Sequence, residues 1–254
     1  MPPNNRPQPS LFVQLLDLFL IEMTNWRWSW RALVVTGTLA PLMSILALGV
    51  FARDSGATTL SYILSGNIVL ALMFGNMSNL ENHFVYMRFA GTLDYFASLP
   101  IQRPVLILAV VLAFLLLSLP SLIVTISLGS LFLRVPLSLH PAILLVIPLC
   151  TIPLSGIGAL IGVTARNPQE AGSIGLVVTL VMLSLGPVVV PPERLPGIML
   201  LLGRFSPATY AASAVRQTLI GPLTGQIVID LLILTGLSVG IFWLVGRKMD
   251  WRQR

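Results

Sequence analysis

Five stretches of the chain run without a charged side chain, at 32–52, 55–80, 104–133, 135–165 and 171–192, and a sixth, 217–246, is interrupted only by Asp230. About 20 apolar residues carry a helix across the hydrocarbon of a bilayer, so each run is long enough to cross. Lipid offers backbone N–H and C=O groups no partner, which restricts a crossing segment to a helix or a closed barrel. A barrel needs strands that alternate apolar and polar residues, and these runs do not alternate. They predict an all-α integral membrane protein with six transmembrane helices. Only 9% of residues are charged and 56% are hydrophobic, with mean hydropathy +0.90, where a soluble domain carries roughly 25% charged residues.

The charges that remain report orientation. With the N-terminus in the cytoplasm, ten of the fifteen Lys and Arg residues fall on inside segments, and six spans return the C-terminus to the same side. The expected connections are 53–58, about 134–140 and 191–225 outside, and 81–103 and 166–170 inside. This places the chain in the inner or plasma membrane, multi-pass, with both termini cytoplasmic. The net charge of +6 is spread singly along the chain, which suits membrane orientation and argues against nucleic acid as a partner. Cys150 is the one cysteine, so neither an intramolecular disulfide nor a four-thiolate metal site is possible.

Residues 1–10 read as a disordered tail. Over 11–30, Ser10, Gln14, Asp17 and Thr24 recur opposite Leu11, Leu15, Leu18 and Phe19, predicting an amphipathic helix lying along the membrane surface. Trp26, Trp28 and Trp30, interleaved with Arg27 and Arg31, form an expected headgroup anchor. The span-bearing region is 31–247, followed by a tail over 248–254. Between spans two and three, Tyr86, Phe89, Leu93 and Phe96 share one helical face with Asp94 and Ser98 opposite, and Leu99-Pro100 stops the segment. This predicts a short amphipathic helix over 86–100, either a spacer between spans or a docking helix. Before the last span, the short apolar pieces Leu195–Leu202 and Pro207–Leu219 each fall short of a crossing and predict a re-entrant hairpin.

Two stretches, GTLDYFASLPIQR (Gly91 to Arg103) and SPATYAASAVRQTLIG (Ser206 to Gly221), carry a resemblance to the permease subunit of ABC-2 type exporters. The resemblance extends from about Leu11 to Trp251. Met87-Arg88-Phe89 stands where relatives often carry a more charged string, and Ser206 replaces the usual asparagine. What the resemblance implies is a coupling helix over 86–100 gripped by a separate cytoplasmic ABC ATPase, with Arg88, Gly91, Thr92, Leu93, Asp94 and Tyr95 at the contact and Phe89, Leu93 and Phe96 tying the helix to the spans. It also implies a second permease subunit, identical or not, and a route lined by spans one, two and five. Asn67, Asn76, Thr179 and Met182 are the candidate route residues, and Pro207, Tyr210 and Arg216 belong to the outer hairpin. The expected cargo is an amphipathic or lipid-like molecule such as a drug or glycolipid, moved among membrane lipids.

No cofactor is expected in this chain itself, with ATP and Mg bound by the partner. A P-loop ends in Gly-Lys followed by Ser or Thr, and Lys248 stands between Arg247 and Met249. His83 follows Glu81-Asn82 without a second histidine to complete a zinc pair, and His83 and His140 are expected on opposite sides of the membrane, so a catalytic chain is not expected. The buried amides of span two bond neighbouring helices or touch substrate. Asp230 reads as an interfacial residue or a partner of Arg216, ahead of a proton carrier. Gly156, Gly158 and Gly162, and Gly172, Gly175 and Gly186, mark close helix packing. The rival functions are an ion-gradient-driven secondary transporter and a membrane scaffold that transports nothing.

Overall fold

The computed structural model describes residues 10–26, 30–52, 55–99 and 101–248, and these form an all-helical bundle. The expected tails, the Arg27–Trp28 part of the anchor and the turn around Arg53 lie outside the described residues. Helix α1 covers Leu11–Trp26, α2 Trp30–Phe51, α3 Gly56–Leu72, α4 Ser78–Phe89 and α5 Thr92–Ser98. Then follow α6 (Arg103–Leu133), α7 (Ile143–Thr164), α8 (Pro168–Ser184), α9 (Gly197–Gly203), α10 (Pro207–Leu219) and α11 (Gln226–Lys248). A π-helical turn, Met73–Met77, joins α3 to α4, so Gly56–Phe89 runs as 34 residues, about 51 Å.

That element and α6, which has 31 residues, are longer than a hydrocarbon core of about 30 Å. The second span therefore does not stop at residue 80 as its lack of charge suggested. It continues through Glu81 and His83 because Leu80, Phe84 and Met87 repeat at helical spacing and are buried together with Leu106, Val110 and Phe114 of α6. The fourth span begins later than expected, at Ile143. The sixth is α11 alone, since 217–219 belong to α10 and 220–225 form a connection.

Among the described residues, five helices or helix runs are long and apolar enough to cross a membrane: α2, α3–α4, α6, α7 and α11. Helix α8 has 17 residues and ends before Gly186-Pro187, where φ of Gly186 is +88°. The chain continues without helix through Val190, and Val188 and Val189 reach Gly66 of α3. In this way α8 and its extension run from beside α4 to Gly66 of α3, and by length and composition a sixth span is counted only when the bent pair α9–α10 is taken as one. Leu18 of α1 and Val245 of α11 share an apolar cluster with Leu93 and Phe96 of α5, so the described chain ends lie together.

Packing between spans depends on small residues, because lipid gives apolar helices no hydrophobic reason to associate. A methyl group on Gly158 would strike the Met77 carbonyl, and one on Gly162 would lie 2.6 Å from the Glu81 carbonyl. The face Gly158–Gly162 thus lets α7 lie directly on the backbone of the π turn and α4. Gly37 meets Ser121 and Gly49 meets Leu133, which sets α2 alongside α6.

Helix α1 corrects the expected arrangement of its faces. Gln14, Leu18 and Glu22, spaced four apart, are buried, while Phe12, Val13, Leu16, Leu20 and Ile21 are exposed. The buried stripe is therefore mixed, whereas Ser10, Asp17 and Thr24 of the expected polar face are exposed along with much of the apolar face. A helix bounded by lipid on its outer side is stable this way round, because the protein can hydrogen-bond Gln14 and Glu22 and lipid cannot.

Candidate functional site

The segment 86–100 is two helices and not one. Helix α4 ends as Ala90 N–H donates to the Tyr86 carbonyl, and Gly91 takes φ +71°, the left-handed position that closes helices. Helix α5 starts at Thr92, and Leu99 is extended (φ −89°, ψ 151°), as a residue before proline prefers. Leu93 and Phe96 are buried, anchoring α5 against α4 and α6. Asp94 and Tyr95 point outward, and Tyr95 is 62% exposed. Phe89, expected to tie the segment to the spans, is instead 56% exposed beside Tyr86, because the break at Gly91 turns the two halves apart. The result is an outward patch of Tyr86, Phe89, Asp94 and Tyr95, with Thr92 half-buried at its edge.

Arg88 sits on the last turn of α4. Its Nη1 donates to the Val163 carbonyl at 2.9 Å, in the last turn of α7. Carbonyls there have no intrahelical donor, so Arg88 ties the α5 end of two crossings together.

Close by is a buried ionisable group that the sequence reading placed in a loop. Glu22 Oε2 of α1 lies 3.2 Å from His83 Nε2 of α4, and the imidazole packs edge-on to Phe114 at 5.5 Å. Two residues before His83, Glu81 is 1% exposed, and its carboxylate fills the space over Gly175 of α8. The usable signal was the apolar repeat Leu80, Phe84, Met87, which continues the helix beyond the first charge.

The candidate route residues are all buried. Asn76 Nδ2 donates to Ser118 Oγ of α6 at 2.9 Å, and Asn67 Nδ2 donates to the Ile63 carbonyl of its own helix at 2.8 Å. Neither amide oxygen has a hydrogen-bond partner among the described residues. Thr179 and Met182 follow Ala171 and Gly175 along the buried stripe of α8, and Met182 joins the core containing Ile68 and Leu72.

At the other end of the bundle, α9 and α10 meet at 89°. Pro207 occupies the first turn of α10, where its missing N–H is not needed. Tyr210 Oη donates to the Arg204 carbonyl at 2.7 Å across the elbow, and Gly203 lies directly on Gly186. Arg216 is the link to the crossings: Nε donates to Ser65 Oγ (3.1 Å), Nη2 donates to the Pro187 carbonyl (3.3 Å), and the guanidinium stacks 3.4 Å from the Tyr62 ring centroid. Asp230 does not take Arg216 as its direct partner. Its oxygens accept from the Gln217 and Gln226 amides, each at 3.1 Å, fastening the start of α11 to α10.

A model of the family described as ABC-2 type transporter matches residues 14–220. The chain belongs to the ABC-2 type transporter family. A comparison with curated proteins found no match. The family match runs from within α1 through the end of α10, and α11 with Asp230 lies beyond it. As an ABC-2 transporter the chain is a multi-pass membrane protein and the permease part of an ABC transporter, from a family of transmembrane domains that are generally non-catalytic. Members of the family normally work with an ABC ATPase.

Proposed function

We propose that this permease moves an amphipathic or lipid-like substrate out of the cytoplasm or inner leaflet, energised by a separate ATPase that grips α5 and the end of α4. ATP and Mg are held by that partner. The observation that carries the reading is the division of labour on α5: Leu93 and Phe96 are fixed in the bundle, while Asp94 and Tyr95, with Tyr86 and Phe89 beside them, are free to enter a cleft of another protein. Movement imposed on α5 passes through Gly91 to α4, and through Arg88 to the end of α7. In this reading the α5 end is cytoplasmic, both termini lie there, and the α9–α10 elbow is a re-entrant hairpin dipping into the outer leaflet. Two permease subunits, alike or different, enclose the route, with α2, α3 and α8 toward it. Asn67, Asn76, Thr179 and Met182 then contact cargo only when the spans part.

The test is Asp94→Ala and Tyr95→Ala in a complex purified with its ATPase. Each truncation at an interface anchor is expected to weaken ATPase binding about tenfold or more and to lower nucleotide turnover in proportion. Unchanged binding and turnover would exclude α5 as the contact.

Buried Glu81 and the Glu22–His83 pair favour a second reading, drive by an ion gradient, since ionisable groups inside membrane proteins often mark proton paths. Cargo movement by the isolated chain in vesicles, with a pH gradient and no nucleotide, would support it. Dependence on ATP and the partner would remove it.

A further inference from the structure

At the end of the bundle away from α5, α2 and α6 separate into a cleft of about 880 Å³. This lies within the range of roughly 300–1,000 Å³ typical of ligand sites. Leu42 and Leu46 of α2, Leu60 of α3, and Leu128 and Phe132 of α6 form its walls, and Arg134 is the charged residue of the lining. No acidic residue lines it among the described residues. Leu46, Leu128 and Phe132 are 40%, 47% and 39% exposed, so the cleft opens sideways where the bundle meets lipid.

Arg134 is unusual in two respects. It ends α6 with φ +53°, the sole non-glycine residue with positive φ among the described residues. Its backbone N–H caps the Ser130 carbonyl, yet its guanidinium makes no hydrogen bond or ion pair among the described residues. The cation therefore stands at the mouth of an apolar trench with its donors unused.

We propose that the cleft is a resident site for an anionic phospholipid, with an acyl chain between α2 and α6 and the phosphate on Arg134. The chemistry of the two halves matches: apolar walls take a hydrocarbon chain, and a guanidinium takes a phosphate with two parallel donors. A second copy of the chain fits less well, because a two-fold contact across this cleft brings two Arg134 side chains together with no acid to separate them. Occupation of the site requires neither nucleotide nor an ATPase.

The experiment uses the full chain in nanodiscs of phosphatidylcholine, doped with photoactivatable analogues of phosphatidylglycerol or phosphatidylcholine. The labelled residues are mapped by peptide mass spectrometry. Label from the phosphatidylglycerol analogue is expected on 42–49 and 128–134, in excess over the zwitterionic analogue. Arg134→Gln should cut that excess about fivefold, the share of one cation near an anionic headgroup. Arg134→Gly, which suits the left-handed backbone, should give the same loss in a stably folded protein. Leu46→Trp should fill the trench and lower labelling by both lipids with Arg134 intact. Equal labelling by the two lipids in the parent chain, or an excess untouched by loss of Arg134, would overturn the proposal. So would cross-linking between copies through Phe132 with no lipid label in the cleft.

Discussion

Single residues decide how the long helices are tied together, and their partners are far away in sequence. Arg216 joins α10 to Ser65 and Tyr62 of α3 and to the carbonyl of Pro187. Arg216→Leu removes the stacking and leaves a buried hydroxyl without its donor, so stability should fall by about 2 kcal/mol, read as a lower thermal unfolding midpoint in detergent. Arg216→Lys keeps charge but loses the planar fork, and should recover only part of the loss. Gly91 acts through conformation, since nothing stands within 4 Å of where its Cβ would be. Gly91→Ala should cost about 1 kcal/mol for the left-handed backbone, while Gly91→Asn, which tolerates that region, should cost less. The residue types of both positions stand out in the sequence, yet Arg216's partners do not. Ser65 lies 151 positions away and carries no mark distinguishing it from other hydroxyls in the spans.

For helices, the same residue type has opposite consequences depending on the face it occupies. Gly158 rests on the Met77 backbone, whereas Gly172 of α8 has nothing within 4 Å. Gly158→Leu should force α7 away from α4 and sharply lower the yield of folded protein in the membrane. Gly172→Ala should be neutral, or stabilising by up to about 1 kcal/mol from helix propensity. Equal behaviour of the two variants would mean that α4 and α7 do not approach as closely as described. The apolar runs disclosed that these helices exist, and their glycines disclosed that some faces pack closely. Which glycine faces which neighbour was not legible, because every side of such a helix is apolar and periodicity has little contrast to work with. The same lack of contrast left the seating of α1 open: spacing alone showed two faces, and only its packing on α6 showed that Gln14, Leu18 and Glu22 turn inward while Asp17 and Thr24 stay exposed.

Across the whole molecule, α5 and the described chain ends lie together, and the α9–α10 elbow and the 134–142 connection lie at the opposite end. Ser138 N–H donates to the Leu219 carbonyl and His140 N–H to the Thr218 carbonyl, closing the open end of α10 on that connection. In a Cys150→Ala background, Ser98→Cys and Ser138→Cys should therefore react with membrane-impermeant thiol reagents from opposite sides only. Labelling of both from one side would mean that α8 and its extension do not complete a passage. The background change is mild, because Cys150 is buried and its thiol has only a long 3.9 Å contact to the Ala211 carbonyl.

The order and approximate limits of the crossings, and the short polar interruption that becomes α5, were determined by the sequence alone. Burying uninterrupted apolar runs in lipid is favourable whatever their neighbours are, so a one-dimensional pattern suffices. The tertiary structure alone decided the break at Gly91, the inward turn of Glu22 and Glu81, and the attachment of Arg88 to α7 and of Arg216 to α3. Those choices depend on which helix supplies a donor, an acceptor or a gap of one methyl group, and inside a membrane such partners are fixed by how helices distant in sequence come to lie side by side.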